Sequence, residues 1–308
     1  MHYKAKHIVE YAALNFFAVV FNAMPYRMAL LCGAGIGRFM FHIVRFRRRE
    51  TLRRIHAVFG KDFSEKETKR IARISLRNLI LNMVEMMRAA KLDKQWIDTH
   101  IPEFAARIKE VRKIITEHNG AVIAVPHTGN WDLAGWACNM YDIPMISIGG
   151  KQKNPLVNRW INRKRESGIE MLNRDEKGAL KKIIKLLKEG RVLAILPDVR
   201  MYKEDLSVDF LGDKANLGRG MAQFAINAKV PIIPAVFKRE GYTGHTAILS
   251  DIIQPDPQLS KKENIQQMTQ MVMDIIDEFI RKEPEQWFWY NKRWVLKPIK
   301  KYANARVR

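Results

Sequence analysis

The sequence predicts an α/β fold, with a mostly parallel central sheet flanked by helices and an apolar helical membrane anchor at the N-terminus. From residue 103 onward, short apolar segments alternate with longer amphipathic ones, as strands alternate with crossover helices in such folds. An apolar stretch of about 17 residues lies near the start of the chain. At 308 residues, the chain is long enough for one main core with an N-terminal appendage.

The N-terminal region consists of two apolar stretches. Residues 8–24 would extend roughly 26 Å as a helix, which is close to but short of a bilayer core. Pro25 separates them from residues 28–44. Glu10 and Asn15 are unlike the apolar core of a signal peptide, so we expect the segment to be retained. A single span, a shallow hairpin and an interfacial pair of helices are all compatible with this pattern, as is a buried helical hairpin without membrane contact.

An arginine cluster follows the second apolar stretch. Its members are Arg45, Arg47, Arg48, Arg49, Arg53 and Arg54. Because anionic headgroups attract such clusters, we expect this one to lie on a lipid surface. The sequence therefore divides into residues 1–60, a membrane-associated helical segment with its basic cluster, and residues 61–308, the main α/β domain.

Periodicity and turn residues predict the elements of the main domain. Ser64 and Glu67 have the spacing of a capping box and begin a helix that runs toward Lys91. Further helices are predicted at residues 103–118, 155–167, 176–189, 217–228 and 261–282. Strands are predicted at residues 121–125, 144–148, 169–172, 192–196, 232–237 and 246–249.

Charge and cysteine content narrow the class of protein. The 54 Lys and Arg residues outnumber the 32 Asp and Glu residues, which gives a net charge of +22. Such a surface attracts nucleic acid, anionic lipid or an acidic protein, and charge alone does not distinguish among them. Cys32 and Cys138 form no metal-ligand spacing and no disulfide framework, which suits a reducing compartment.

The most informative segment is the turn after the strand at residues 121–125, which contains His127 and Asp132. Sites in open α/β sheets lie at the carboxyl ends of strands, so this position favours a functional pair over a structural histidine. Asn130 is the expected N-cap of the following helix, and it would place Asp132 in the first turn beside His127. We therefore predict that His127 acts as a general base that Asp132 orients.

No serine or cysteine stands in a nucleophile elbow. Direct transfer to a bound hydroxyl is therefore favoured over a covalent enzyme intermediate.

An ordered series of further motifs follows the His127 turn. They are Asn154-Pro155-Leu156, Arg163-Lys164-Arg165-Glu166-Ser167-Gly168, Leu196-Pro197-Asp198, Phe210-Leu211-Gly212, Val230-Pro231-Ile232-Ile233-Pro234 and Pro284-Glu285-Gln286-Trp287-Phe288-Trp289. Together they resemble the bacterial late lipid A acyltransferases that transfer lauroyl or myristoyl chains, within the wider His-x4-Asp/Glu glycerolipid acyltransferase superfamily. The chain departs from many relatives by having Asp132 in place of Glu, Val199-Arg200 after Asp198 where Gln or His is common, and Asn291 where His is common. The last two changes leave the acceptor open.

The resemblance implies transfer of a fatty acyl chain from acyl carrier protein or coenzyme A to a hydroxyl of a lipid A precursor, an anionic glycolipid. A thioester is already activated, so this chemistry needs no metal or other cofactor. The implied location is the inner membrane of the cell, with the catalytic domain on the cytoplasmic face. Both acidic partners, acyl carrier protein and a phosphorylated glycolipid, would suit the basic surface.

The resemblance also implies four substrate-binding residues, namely Asn154, Arg163, Arg165 and Asp198. Arg163 and Arg165 would bind a substrate phosphate or support the site through bidentate bonds, the alternative being a solvated helix face. Asp198 would orient a substrate or Arg165, the alternative being a simple turn residue. The Trp287, Phe288 and Trp289 side chains would line an acyl groove or the membrane interface, or close the core.

Two other functions remain open at this point. The acceptor would instead be another glycolipid, such as a phosphatidylinositol mannoside, with the same chemistry. A basic nucleic-acid-binding protein is the non-enzyme alternative, but no recognised binding motif supports it and an apolar N-terminus is ill suited to it. We therefore expect no nucleic acid among the partners.

Overall fold

The computed structural model describes residues 3–60, 62–149, 152–166, 169–173 and 178–296. Ser167, Gly168 and the basic residues after 296 lie outside these ranges. The helices are α1 (Ala5–Ala23), α2 (Tyr26–His42), α3 (Arg48–Phe59), α4 (Glu65–Met87), α5 (Lys94–His100), α6 (Phe104–His118), α7 (Trp131–Met140), α8 (Pro155–Glu166), α9 (Ala179–Lys188), α10 (Gly220–Ala228) and α11 (Lys261–Lys282). The strands are β1 (Ala121–Ala124), β2 (Met145–Gly149), β3 (Glu170–Asn173), β4 (Val192–Ile195), β5 (Leu206–Phe210), β6 (Asp213–Leu217), β7 (Ile232–Glu240) and β8 (Gly244–Leu249).

The main sheet confirms the predicted α/β class. It has six strands in the order β3-β2-β4-β1-β7-β8. All neighbours in it are parallel except β8, which runs antiparallel to β7. Because β1 lies near the centre, its residues are buried on both faces and form a continuous apolar run.

A separate two-stranded hairpin of β5 and β6 was not predicted from the sequence. Leu217 pairs with Leu206 at the end of this hairpin, so α10 begins at Gly220 rather than at the predicted residue 217. The β5 sequence alternates apolar and polar residues, with Ser207 and Asp209 exposed and Val208 and Phe210 buried, so a strand signal was present in this segment and was overlooked.

The first two helices pack against the main domain. None of the described helices is long and apolar enough to cross a membrane. The expected membrane-spanning form of the anchor is therefore not supported. Phe21 of α1 and Leu30 of α2 are buried in a cluster that also contains Leu81 of α4, and the Asn22 amide donates to the Met87 carbonyl oxygen at 2.9 Å. These contacts bury apolar side chains that would face lipid in a membrane-spanning helix.

The arginine cluster is divided between solvent and interior. Arg45 and Arg49 are exposed, whereas Arg54 is almost fully buried on α3. The Arg54 guanidinium donates to the carbonyl oxygens of Trp289 and Asn291 and pairs with Glu50. Arg54 therefore fixes the C-terminal segment and does not face lipid headgroups, contrary to the expectation for the whole cluster.

The core lies on both faces of the sheet. Val122 of β1 belongs to one apolar cluster with Phe41 and Ile55, and Ile123 belongs to a second cluster with Phe21. Successive residues of a strand point to opposite faces, so one strand serves both clusters. The N-terminal helices contribute to each of them.

Candidate active site

The site forms where two neighbouring parallel strands end. Ala124 of β1 pairs with Ile195 of β4. His127 and Asp198 each lie three residues after these partners, beyond the carboxyl ends of the two strands. His127 Nδ1 lies 2.7 Å from Asp198 Oδ1, and the His127 backbone N–H donates to Asp198 Oδ2 at 2.9 Å. Parallel pairing therefore brings together two residues that are 71 positions apart in sequence.

Asp198 is held from a second side by the C-terminal segment. Trp287 Nε1 donates to Asp198 Oδ2 at 2.7 Å, and Asp198 is only 3% exposed. Burial by itself would raise the pKa of Asp198, but the electrostatic interaction with His127 and the hydrogen bonds from His127 and Trp287 outweigh it and hold the pKa below its ordinary value. The carboxylate is therefore ionised and fixed in orientation.

The imidazole of His127 has one nitrogen committed and one free for chemistry. A carboxylate only accepts, so Nδ1 carries the proton in this pair, and the neutral ring then presents the lone pair of Nε2. The side chain is 19% exposed. The Trp131 ring packs edge-on to it, with centroids 4.9 Å apart.

A small pocket beside His127 gives access to the ring. Its volume of about 10 Å³ fits roughly one water-sized group. The lining residues are His127, Asp198, Trp287, Phe288, Asn291, Arg293, Trp294 and Val295. The pocket therefore borders a ring that is itself partly exposed.

Asp132 does not hold the imidazole in this structure, which corrects the expectation from the sequence. Its carboxylate receives both Arg165 Nε at 2.7 Å and Arg165 Nη2 at 3.1 Å. Asn130 is the N-cap of α7 as predicted, since its Oδ1 accepts from the Leu133 N–H at 3.1 Å. Asp132 is thus in the first helical turn, but the helix directs it to α8 while the adjacent strand supplies the carboxylate for His127.

The remaining predicted substrate residues are not gathered at His127. Asn154 is buried, and its amide donates to Glu10 and to the His7 carbonyl oxygen of α1. Its Oδ1 accepts from the Leu156 N–H at the start of α8. Asn154 therefore links two helices. Arg163 is exposed on α8, whereas Arg165 has the bidentate geometry expected for it.

The aromatic motif near the C-terminus serves the site and the core together. Trp287 and Trp289 are buried, which agrees with the core-closing alternative, while Phe288 is half-buried. The Phe288 N–H donates to the His127 carbonyl oxygen at 2.9 Å. This segment therefore supports the His127 turn through its backbone and through the Trp287 indole.

A buried charged network behind the turn escaped the sequence analysis. Glu85 of α4 accepts from Asn130 Nδ2 at 2.6 Å and from both terminal nitrogens of Arg239, at 2.9 and 2.5 Å. The amide of Asn82 donates to the carbonyl oxygen of Gly129. The network thus holds two successive residues of the turn. A single carboxylate in the apolar stretch Asn82–Met87 was the signal that pointed to it.

Gly129 allows this turn to lie directly on β7. Its φ is +50°, and a Cβ there would stand 2.3 Å from the Phe237 carbonyl oxygen. A side chain would therefore push the turn away from the sheet and displace His127.

The described residues contain no group of three or more His, Cys, Asp and Glu side chains placed to hold a metal ion. The arrangement is that of a proton acceptor with an ionised partner.

Comparisons with known proteins identify related sequences. The family model described as bacterial lipid A biosynthesis acyltransferase matches residues 2–295. A phosphatidylinositol mannoside acyltransferase of Mycolicibacterium smegmatis is 24% identical over 180 residues, which cover 57% of each chain. One from Mycobacterium tuberculosis is 23% identical over 181 residues, covering 57% of this chain and 55% of its own. A lipid A biosynthesis acyltransferase of Haemophilus influenzae is 26% identical over 184 residues, covering 59% of this chain and 56% of its own. These matches thus extend over little more than half the length of the relatives.

Proposed function

This chain belongs to the bacterial lipid A biosynthesis acyltransferase family, and from that premise we propose that it transfers a fatty acyl chain from a thioester donor to a hydroxyl of an anionic glycolipid. The donor is acyl carrier protein or coenzyme A, and the first candidate acceptor is a lipid A precursor. The observation that carries the proposal is the His127–Asp198 pair beyond the carboxyl ends of β1 and β4. The two side chains are 2.7 Å apart and line a surface pocket.

The proposed reaction begins with proton removal by His127. Nε2 accepts the proton of the acceptor hydroxyl while the alcohol oxygen attacks the thioester carbonyl carbon, forming a tetrahedral intermediate with a negatively charged oxygen. The intermediate then collapses, the C–S bond breaks, and the departing sulfur takes the proton back from His127. The products are the acyl ester and the free thiol of the donor.

Asp198 is assigned the positioning role that the sequence suggested for Asp132. Its carboxylate keeps the proton of neutral His127 on Nδ1, so that Nε2 is free to accept. It also stabilises the imidazolium that forms during attack, because it stays ionised and buried against the ring. Asp132 acts on Arg165, and we propose that their pair fixes a guanidinium on α8 for a polar part of the substrate.

The surface supports acidic and amphiphilic partners. The net charge of +22 favours acyl carrier protein, coenzyme A and a phosphorylated lipid through electrostatic attraction. The N-terminal helices expose large apolar side chains at Val9, Phe16, Val19, Leu31, Phe39 and Ile43. We propose that these helices lie on the cytoplasmic face of the inner membrane, where both a soluble donor and a lipid acceptor are within reach.

A second acceptor has support from the comparisons. Relatives from two mycobacterial species carry the name phosphatidylinositol mannoside acyltransferase. A mannolipid acceptor would keep the same base and the same thioester chemistry. This alternative differs from the first only in the sugar that presents the hydroxyl.

Acceptor profiling of the purified full chain tests the proposal. The protein is incubated with an acyl-carrier-protein thioester or an acyl-coenzyme A, together with a lipid A precursor or a phosphatidylinositol mannoside. Mass spectrometry then follows the addition of one acyl group. We expect acylation of the lipid A precursor, and none with His127→Ala. Acylation of the mannolipid alone would support the second acceptor, and a folded protein that acylates neither would contradict the proposed activity.

A further inference from the structure

Three arginines line a cavity between α2, α4 and the β7–β8 loop, away from the His127 pocket. The cavity has a volume of about 200 Å³. Its lining residues, which we call the arginine pocket, are Leu31, Ala34, Gly35, Arg38, Arg73, Arg77 and Tyr242. None of these residues lines the pocket beside His127. The arginine pocket is therefore a separate concave surface that the proposed chemistry does not use.

The positive charge of the arginine pocket is not compensated. Arg73 and Arg77 are four residues apart on α4 and so lie on the same face of the helix. Among the described residues, none of the three arginines has a carboxylate within ion-pair distance. Arg70, one turn before, pairs with both Glu67 and Glu285. Two carboxylates therefore neutralise Arg70, whereas the positive charges of the three pocket arginines remain close together. Such an arrangement is unfavourable unless an anion binds.

Arg77 is held in a fixed position at the pocket wall. Its Nε and Nη2 donate to Asn78 Oδ1 at 3.2 and 2.9 Å, and its guanidinium lies 5.0 Å from the centroid of the Tyr242 ring. Burial lowers the pKa of Arg77, and the neighbouring Arg239 and Arg73 act in the same direction. A held guanidinium loses little freedom when an anion binds.

Small residues of α2 keep the arginine pocket open next to an apolar surface. A Cβ at Gly37 would lie 3.2 Å from Arg77 Cα, so the two helices pack closely there. A Cβ at Gly35 would have no atom within 4 Å, so this residue faces open space. On the same helix, Leu31 is 59% exposed and Phe39 is 55% exposed. A cationic cavity and an exposed apolar helix face therefore adjoin each other.

We propose that the arginine pocket binds the phosphate headgroup of an anionic lipid whose acyl part lies along the exposed apolar face of α2. Guanidinium groups bind phosphate through short charge-assisted hydrogen bonds, and apolar side chains beside them favour an amphiphile over a free ion. This binding goes beyond the acyl-transfer proposal, because it involves neither His127 nor Asp198. It gives the N-terminal helices a specific lipid contact.

The test is calorimetric titration of the full chain with dihexanoyl phosphatidic acid as a soluble monomer. We expect saturable binding to the wild type and at least a tenfold weaker affinity for Arg38→Gln/Arg73→Gln. Arg27→Gln/Arg49→Gln is the matched control, since it also removes two positive charges, at exposed arginines outside the pocket. It should bind as the wild type does. An equal loss in the control would mean that general surface charge attracts the lipid and would overturn the proposal.

A second variant separates shape from charge. Gly35→Leu fills the cavity without altering the charge and improves the helix propensity of α2, so it should fold and lose binding at least tenfold. Unchanged binding in this variant would remove the pocket as the site. Inorganic phosphate is the second probe, and we expect it to bind at least tenfold more weakly than the lipid. If phosphate binds equally well, the assignment to a lipid is wrong.

The outcome is independent of the proposed activity. His127→Ala should bind dihexanoyl phosphatidic acid with the affinity of the wild type. Lost binding in that variant, with the fold intact by circular dichroism, would mean that the lipid occupies the His127 site and would overturn the separate pocket. Loss of acyl transfer by itself leaves the binding measurement unaffected.

Discussion

Two histidine–carboxylate pairs in the described part of the chain have different surroundings. His127 and Asp198 are 2.7 Å apart, and the His127 side chain is 19% exposed. His245 and Glu85 are 3.2 Å apart, and both side chains are fully buried. Both pairs join an imidazole to a carboxylate, but one ring borders a surface pocket and the other is fully buried. Access separates a candidate base from a structural group.

The two carboxylates also differ in whether an arginine neutralises them. Arg239 occupies both oxygens of Glu85, and Tyr26 donates to one of them at 2.7 Å. Burial alone would raise the pKa of Glu85, but the charge of Arg239 and the hydrogen bonds from His245 and Arg239 lower it well below the ordinary value. Burial lowers the pKa of His245, so this ring tends to remain neutral. Glu85 is thus neutralised by Arg239, whereas Asp198 is available to stabilise a charge that forms on His127.

The largest expected effect is on activity at the open pair. His127→Gln should lower kcat/KM by about 10³- to 10⁴-fold, because the general base is removed. Its unfolding free energy should change by less than about 1 kcal/mol, since the ring is partly exposed. Steady-state kinetics with the acyl thioester and urea denaturation measure the two quantities. Near-normal turnover in this variant would remove His127 from the mechanism.

At the closed pair, the expected effect is on stability. Glu85→Gln keeps the side-chain shape but leaves Arg239 buried without its counter-charge, so the unfolding free energy should fall by about 3–5 kcal/mol. Glu189→Gln is the control, because Glu189 forms only an exposed pair with Lys185 and should change stability by less than about 0.5 kcal/mol. Equal stability of the two variants in urea denaturation would show that the network does not hold the fold.

Asp198→Asn tests the role of the open pair's carboxylate. The amide still receives Trp287 but no longer stabilises an imidazolium, so kcat should fall by about 10²- to 10³-fold with little change in KM. A change confined to KM would instead indicate a substrate contact.

Asp132→Asn should have a smaller effect than Asp198→Asn. It weakens the bidentate hold on Arg165 without touching the His127 pair, so kcat/KM should fall by about tenfold. Arg165→Gln should lower kcat/KM by a similar factor, and the double variant should be no worse than either. A loss in Asp132→Asn as large as that in Asp198→Asn would restore the original assignment of Asp132 to the imidazole.

The smallest expected effect is on the acid dependence of stability. The pKa of Asp198 is below its ordinary value of about 3.9 in the folded protein, so its ionised form stabilises the fold above that value. This contribution is lost as pH falls through the folded pKa. Between about pH 6 and pH 3, the wild type should therefore lose more unfolding free energy than Asp198→Asn. Parallel pH profiles would contradict the ionised state of Asp198.

Local sequence patterns were sufficient to predict some features of the fold and the site but not others. The β1 strand, the turn at His127 and the Asn130 cap follow from a short apolar run and its turn residues, and all three were predicted. The partner of His127 depends on β4 lying beside β1, and strand order is not encoded in any local window. The spacing of five residues therefore suggested Asp132, while the sheet supplied Asp198.

The Glu85 network was hidden for the same reason. Its members come from α2, α4, the His127 turn, β7 and β8, and directly bonded pairs among them are as much as 160 residues apart in sequence. A charged residue in an apolar helix indicates that a partner exists but does not identify it. The membrane-spanning alternative could not be separated from the others by sequence, because the same apolar residues that suit lipid also suit the α4 face that buries Phe21 and Leu30.

A double-mutant cycle on His127 and Asp198 tests the central claim most directly. The values of kcat/KM are measured for the wild type, His127→Ala, Asp198→Asn and the double variant. If Asp198 acts through the imidazole, the double variant will be no slower than His127→Ala alone. Losses that multiply in the double variant would show that the two residues act independently and would contradict the account.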